Sequence, residues 1–168
     1  MDNIILIGMP WVGKSTIGKI LASKINKPFL DTDEYILATT GKDVAEHFLD
    51  LSAEESLKRE IELISEIEIY SSIIAISGSL PITRAGKKLI QQWWSIIIKL
   101  EAPLNIIKTR IDERPDGDSR IIFWEYENID DLLNARQEHF DEISTHQVQC
   151  VISPDEVADT IIHIIENK

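Results

Sequence analysis

Residues 8–16, Gly8-Met9-Pro10-Trp11-Val12-Gly13-Lys14-Ser15-Thr16, satisfy G-x-x-x-x-G-K-[ST] at every fixed position. The motif requires a strand before it and a helix after it. Both are legible: the apolar run Ile4-Ile5-Leu6-Ile7 leads in, and Ile17, Ile20 and Leu21 follow at helical spacing. Glycines let such a loop curl until its N–H groups face phosphate oxygens. The helix N-terminus behind it adds partial positive charge. In that setting Lys14 reaches the outer phosphates, and the Ser15 hydroxyl is a ligand for Mg²⁺.

The rest of the chain repeats the strand-then-helix rhythm. Apolar β-rich runs fall at Ile4–Ile7, Pro28–Leu30, Ser72–Ile76, Ser95–Leu100 and Val148–Ile152. Helical patterns occupy about 14–25, 32–40, 43–49, 53–70, 84–93, 103–112, 128–143 and 154–166. This alternation predicts parallel β-α-β units with right-handed crossovers. Runs such as Ile73-Ile74-Ala75-Ile76 are apolar at every position, as suits strands covered on both faces by helices. The expected architecture is a three-layer α/β/α domain with its site at the carboxyl ends of the strands. The segment 113–126 opens polar, carries Pro115 and Gly117, and breaks the rhythm. A loop of that length beside a phosphate site is expected to act as a lid.

Composition narrows the partners. The 168 residues are expected to form one domain with a proper core. A net charge of −12 argues against nucleic acid, whose phosphate backbone calls for a basic face. A small anionic ligand needs only a few local cations. No stretch approaches the apolar length of a membrane span, and no export signal is visible. The one cysteine, Cys150, lies in an apolar run and is expected to be a buried, inert thiol in a reducing compartment, so a cytoplasmic protein is expected. His47, His139, His146 and His163 lack metal-ligand spacing. Trp93 and Trp94 are expected in packing roles.

Several polar residues remain to be placed. Asp31-Thr32-Asp33 follows the second strand and lies at the sheet edge where the phosphate loop opens. One carboxylate there is suited to holding Mg²⁺ directly or through water, the other to orienting an acceptor hydroxyl. Helix N-capping accounts for the same placement. Arg59 and Glu62, three apart, share a helix face and also read as a surface ion pair. Arg136 and Phe140 are four apart on another helix, and Arg120 lies in the expected lid.

Taken together, these residues make the chain resemble the shikimate kinases, small P-loop kinases of the nucleoside-monophosphate-kinase type. The resemblance runs from residue 3 to about 166. Gly8 through Gly18 follow the family's G-x-x-G-x-G-K-[ST]-x-x-G loop except at one position. Asp31-Thr32-Asp33 matches its Asp-x-Asp, and residues 41–48 match its G-x-[ST]-I-A-E-x-F stretch. Glu55, Arg59 and Glu62 fit its E-x-x-F-R-x-x-E helix, Arg120 its lid arginine, and Arg136 with Phe140 its late R-x-x-x-Y pattern.

The resemblance implies a five-stranded parallel sheet of order 2-3-1-4-5, a substrate-binding helical part at about 32–62, and a monomer. It implies ATP, with Mg²⁺, as the phosphoryl donor and the 3-hydroxyl of shikimate as the acceptor, in aromatic amino acid biosynthesis. Gly8, Trp11, Val12, Gly13, Lys14, Ser15, Thr16, Arg110 and Arg120 would bind ATP. Ser15 would ligate Mg²⁺ directly and Asp31 through water. Asp33, Arg59, Gly78, Ser79 and Arg136 would bind the acceptor, the two arginines forking onto its carboxylate. Lys14, Asp33 and Arg120 would carry catalysis. Alternatives are a kinase of another hydroxy acid such as gluconate, or a nucleotide-binding homologue without turnover. Three positions depart from the family: Trp11 stands where Gly is usual, Ser77-Gly78-Ser79 replaces three glycines, and Lys58 replaces an aromatic residue.

Overall fold

A computed structural model describes residues 3–42, 51–93, 95–113 and 129–167. Arg120, most of the expected lid, the helix expected at 43–49, His47 and Trp94 lie outside the described residues.

The sheet grows outward from β1 (Asn3–Gly8), whose six residues are all buried. Its neighbours are β3 (Ile73–Ala75) and β4 (Ser95–Glu101), with β2 (Phe29–Asp31) and β5 (His146–Gln149) at the edges. All four pairings are parallel and the order is β2-β3-β1-β4-β5. Alternation along β1 sorts side chains onto two faces. Ile4 and Leu6 join Val157 and Ile161 on one face. Ile5 and Ile7 join Ile36, Ile64 and Phe140 on the other.

The first face is covered by α1 (Lys14–Lys24) and α7 (Pro154–Glu166), which pack on each other. Lys24 ties them with ion pairs to Asp155 at 2.8 Å and Asp159 at 2.5 Å. The second face receives α2 (Thr32–Thr40), α3 (Ala53–Ser65), α4 (Arg84–Gln92), α5 (Leu104–Asp112) and α6 (Ile129–Ile143). Capping follows the sequence: Ser52 with Glu55 and Ser153 with Glu156 form capping boxes, while Asp31 and Thr83 cap α2 and α4.

Two expectations shift. Helix α3 stops at Ser65 rather than running to 70. Beyond it Ile67 and Ile69 are part-buried while Glu66, Glu68 and Tyr70 are exposed, an alternation of period two that belongs to extended chain. Strand β5 occupies 146–149 rather than 148–152, because Val151 and Ile152 are exposed on the way to the cap of α7. A short 3₁₀ turn, Leu80–Ile82, carries buried Leu80 and Pro81 into the core after β3. In β4, Lys99 is buried among the isoleucines and is neutralised by ion pairs to Glu101 and Asp141. Among the described residues no helix is long and apolar enough to cross a membrane.

Gly18 lets α1 approach β2. A Cβ there would lie 2.3 Å from the Phe29 ring. We expect Gly18→Ala to lower unfolding free energy by about 1–3 kcal/mol through overpacking, as read from urea denaturation.

Candidate active site

The carboxyl ends of β1, β2 and β3 deliver three short segments to one edge of the sheet. Each is held there by a different constraint.

The phosphate loop leaves β1 at Gly8, where φ is 142° and a Cβ would lie 2.4 Å from the Leu100 carbonyl oxygen. It enters α1 through Gly13, at φ 110°, with no side chain capping the first turn and no acidic residue in it. The helix N–H groups are therefore left for an anion. Between these points Trp11 adopts φ 61°, so the position where the family usually has Gly does demand left-handed backbone, and the side chain bears that strain. Two features hold the turn. The indole packs part-buried against the core. Arg110, on α5, donates to the carbonyls of Trp11 at 3.0 Å and Val12 at 2.9 Å. The predicted nucleotide residue thus grips the loop backbone itself.

Lys14 curls back over the loop and donates to the carbonyls of Gly8 at 2.9 Å and Met9 at 3.0 Å. Burial pushes its pKa down to about 8, against the opposing pull of Asp33 and Asp31. Ser15 is exposed at the start of α1 and donates to Asp31 Oδ2 at 2.5 Å. Hydroxyl and carboxylate side by side form an oxygen donor pair that fits a hard cation such as Mg²⁺. Thr16 is exposed beside them.

The β2 segment divides three tasks among adjacent residues. Asp31 caps α2 through Oδ1, accepting from the N–H of Asp33 at 2.9 Å, while Oδ2 turns to Ser15. The capping and metal-site readings of this residue therefore coexist on its two oxygens. Thr32 is fully buried, and its Oγ1 accepts the Ser77 N–H at 3.0 Å, fixing the loop after β3. Asp33 is close enough to Lys14 and Glu60 to act on both electrostatically.

In the third segment, Gly78 lies beneath Arg136. A Cβ on Gly78 would come within 3.0 Å of an Arg136 guanidinium nitrogen and 3.3 Å of Pro10. A side chain at 78 would crowd the guanidinium of Arg136, which reaches from α6 to this loop beside the phosphate loop. Phe140, one turn along α6, is buried in the core and fixes the helix.

Arg59 does not join this group. It pairs with Glu62 at 3.0 Å, both side chains being about half exposed, so the surface-pair reading describes it. The residue that α3 does send to the site is Glu60, which the sequence reading passed over. Its carboxylate accepts from Ser79 Oγ at 2.8 Å and from Ser77 Oγ. Ser56, Glu60 and Ile64 are buried at i, i+4 and i+8 and mark the inward face. That spacing is the signal that was available. With the E-x-x-F-R-x-x-E pattern moved two residues earlier, Glu60 takes the second acid's place and Leu57 the arginine's. In that register Ala53 and Ser56 stand in the places of the first acid and the aromatic residue, so of the four fixed positions the second acid alone is kept. Cys150 is buried, and burial pushes its thiol up to about 11, as expected of an inert sulfur.

The sequence profile of the family described as "Shikimate kinase" matches residues 10–166. The chain belongs to the shikimate kinase family. A curated relative, the shikimate kinase of Corynebacterium efficiens, is 28% identical over 98% of this chain and 96% of its own length. The structure of Acinetobacter baumannii shikimate kinase in complex with shikimate superposes with a TM-score of 0.82 at 20% identity, covering 99% of this chain and 94% of that one. A gluconokinase from Sinorhizobium meliloti 1021 reaches a TM-score of 0.64 at 16% identity, covering 99% and 94%. The fold is thus the P-loop α/β fold of the shikimate kinases, and the chain is an ATP-dependent small-molecule kinase.

The left-handed turn of the shikimate kinase loop gives a direct test. Trp11→Gly and Trp11→Ala lose the same indole, but only glycine is at ease at φ 61°. The glycine variant is expected to be more stable than the alanine variant by about 1 kcal/mol in chemical denaturation.

Proposed function

We propose that this kinase transfers the γ-phosphoryl group of ATP to the 3-hydroxyl of shikimate, giving shikimate 3-phosphate. The observation that carries the reading is that Asp33 and Arg136 both act electrostatically on Lys14 at the phosphate loop, with Arg136 lying against Gly78. Family membership supports the acceptor.

The loop N–H groups and Lys14 bind and orient the phosphates. Asp33 receives the acceptor hydroxyl and turns its oxygen toward phosphorus, accepting its proton as the bond forms. Arg136 forks onto the acceptor carboxylate, and Gly78 lets the ring lie close. Arg120 is proposed to neutralise charge on the transferring group. Ser15, directly, and Asp31, through water, would hold Mg²⁺, which when bound neutralises phosphate charge. Positioning and charge stabilisation account for the rate, since phosphoryl transfer asks little covalent chemistry of the protein.

A second acceptor reading has its own support. Arg59 is turned away, so among the described residues Arg136 is the guanidinium at the acceptor side, and Ser77 and Ser79 line what glycines line in the family. Fewer carboxylate anchors and more hydroxyl groups suit an open-chain hydroxy acid such as gluconate. ADP release measured with shikimate and with gluconate decides between them. Turnover with gluconate alone would overturn the shikimate assignment.

Lys keeps the charge of Arg136 but not its two-pronged geometry. Arg136→Lys is therefore expected to raise KM for shikimate by about tenfold or more while leaving KM for ATP within about twofold. Initial-rate kinetics in both substrates check this. Equal damage to both would contradict the role given to Arg136.

A further inference from the structure

We propose that Glu60, gripped by the hydroxyls of Ser77 and Ser79, sets the charge that the acceptor pocket presents. Protonated, it admits an acidic acceptor beside Arg136; ionised, it repels one. The inference rests on the reading of a small hydroxy acid as acceptor. Glu60 takes the place of the second acid in the family's helix pattern, and what is particular to this chain is the hydroxyl pair that stands where the family has glycines.

The geometry is that of a built polar site. Glu60 is 2% exposed, and Ser77 beside it is buried too. Ser77 Oγ and Ser79 Oγ lie 3.0 Å apart, and each contacts a carboxylate oxygen of Glu60. Ser77 is itself fixed, since its N–H is held by buried Thr32. Glycines at 77 and 79 would supply no hydroxyl, and a buried carboxylate without donors stays protonated across the physiological range. The two serines make the ionised form attainable.

The charges facing Glu60 can be named element by element. From α2 comes Asp33 and from α6 Arg136. The loop after β3 contributes the two hydroxyls. On α4, which packs along α3, Lys87 turns instead to Glu142 and His139. On α3 itself, Arg59 and Glu62 pair on the exposed side. Burial pushes the Glu60 carboxyl up and Asp33 adds to this, while the serine hydroxyls and Arg136 oppose it, leaving the pKa at about 7. Below that value Lys14 and Arg136 balance Asp31 and Asp33. Above it the cluster carries one more negative charge, and a carboxylate acceptor meets a like charge at close range.

KM for shikimate is therefore expected to rise about tenfold as pH passes upward through about 7, with no matching break in kcat. Glu60→Gln, which keeps hydrogen-bonding capacity and removes the charge, should flatten that rise. Ser79→Gly removes a donor that favours the ionised form and should move the break to higher pH. The methyl ester of shikimate, used as an uncharged probe, should show no break at Glu60's titration. A KM break that survives in Glu60→Gln overturns the inference.

A readout independent of turnover separates this inference from the acceptor reading. The carboxyl ¹³C signal of Glu60, assigned by comparison with the Gln variant, should titrate near 7 in the unliganded protein. Stability should accordingly fall as pH rises from about 4.5 to about 7, since the folded state holds a proton that the unfolded chain releases. Titration near 4.5 overturns the inference whatever the acceptor. Absence of ADP release with either acid would instead overturn the acceptor reading.

Discussion

Strand β1 and its exit set the frame for everything else. Buried on both faces and paired on both edges, it has no freedom to shift, and its register with β4 holds to the last residue, Gly8 opposite Leu100. There the two backbones come so close that a side chain could not intervene. The phosphate loop is thus fixed at its start by sheet packing, in its middle by Arg110, and at its end by the first turn of α1. A backbone so over-determined tolerates a bulky residue in a left-handed conformation, which an isolated turn would not.

The placement of the loops after β2 and β3 follows from parallel pairing. Strands β2 and β3 run in register, Asp31 opposite Ala75, so the residues just past each strand arrive level with one another. Asp31-Thr32-Asp33 then works as a three-way junction. One residue faces the phosphate loop, the next faces inward to hold the neighbouring loop, and the third lies within electrostatic reach of Lys14 and Glu60. The functional edge is therefore organised by side-chain hydrogen bonds between loops, with the sheet supplying their level.

Much of this was legible in the sequence because the signals were local. The phosphate loop, the capping aspartate, the five strands and the Arg136-Phe140 pair each depend on spacing within a few residues, and spacing survives folding. The order of the strands came from family resemblance and agrees with the pairings. What failed was a rotation. In Glu-Ser-Leu-Lys-Arg-Glu-Ile-Glu, acids and bases recur so densely that a motif can be laid in more than one register. One residue's step along a helix turns the side chain by about 100°, which separates exposed Arg59 from buried Glu60. The task of Thr32 was invisible for another reason: its partner lies 45 residues away. The end of α3 could have been read, because isoleucine and glutamate alternating after Ser65 announce a change of period.

Trp11 has a practical consequence. Its indole packs part-buried against the core, and of the chain's four tryptophans it is the one that stands in the phosphate-loop motif, so the fold installs a fluorophore there. Trp93 lies at the opposite, amino-terminal edge of the sheet, where its carbonyl accepts from Asn3 at 3.0 Å.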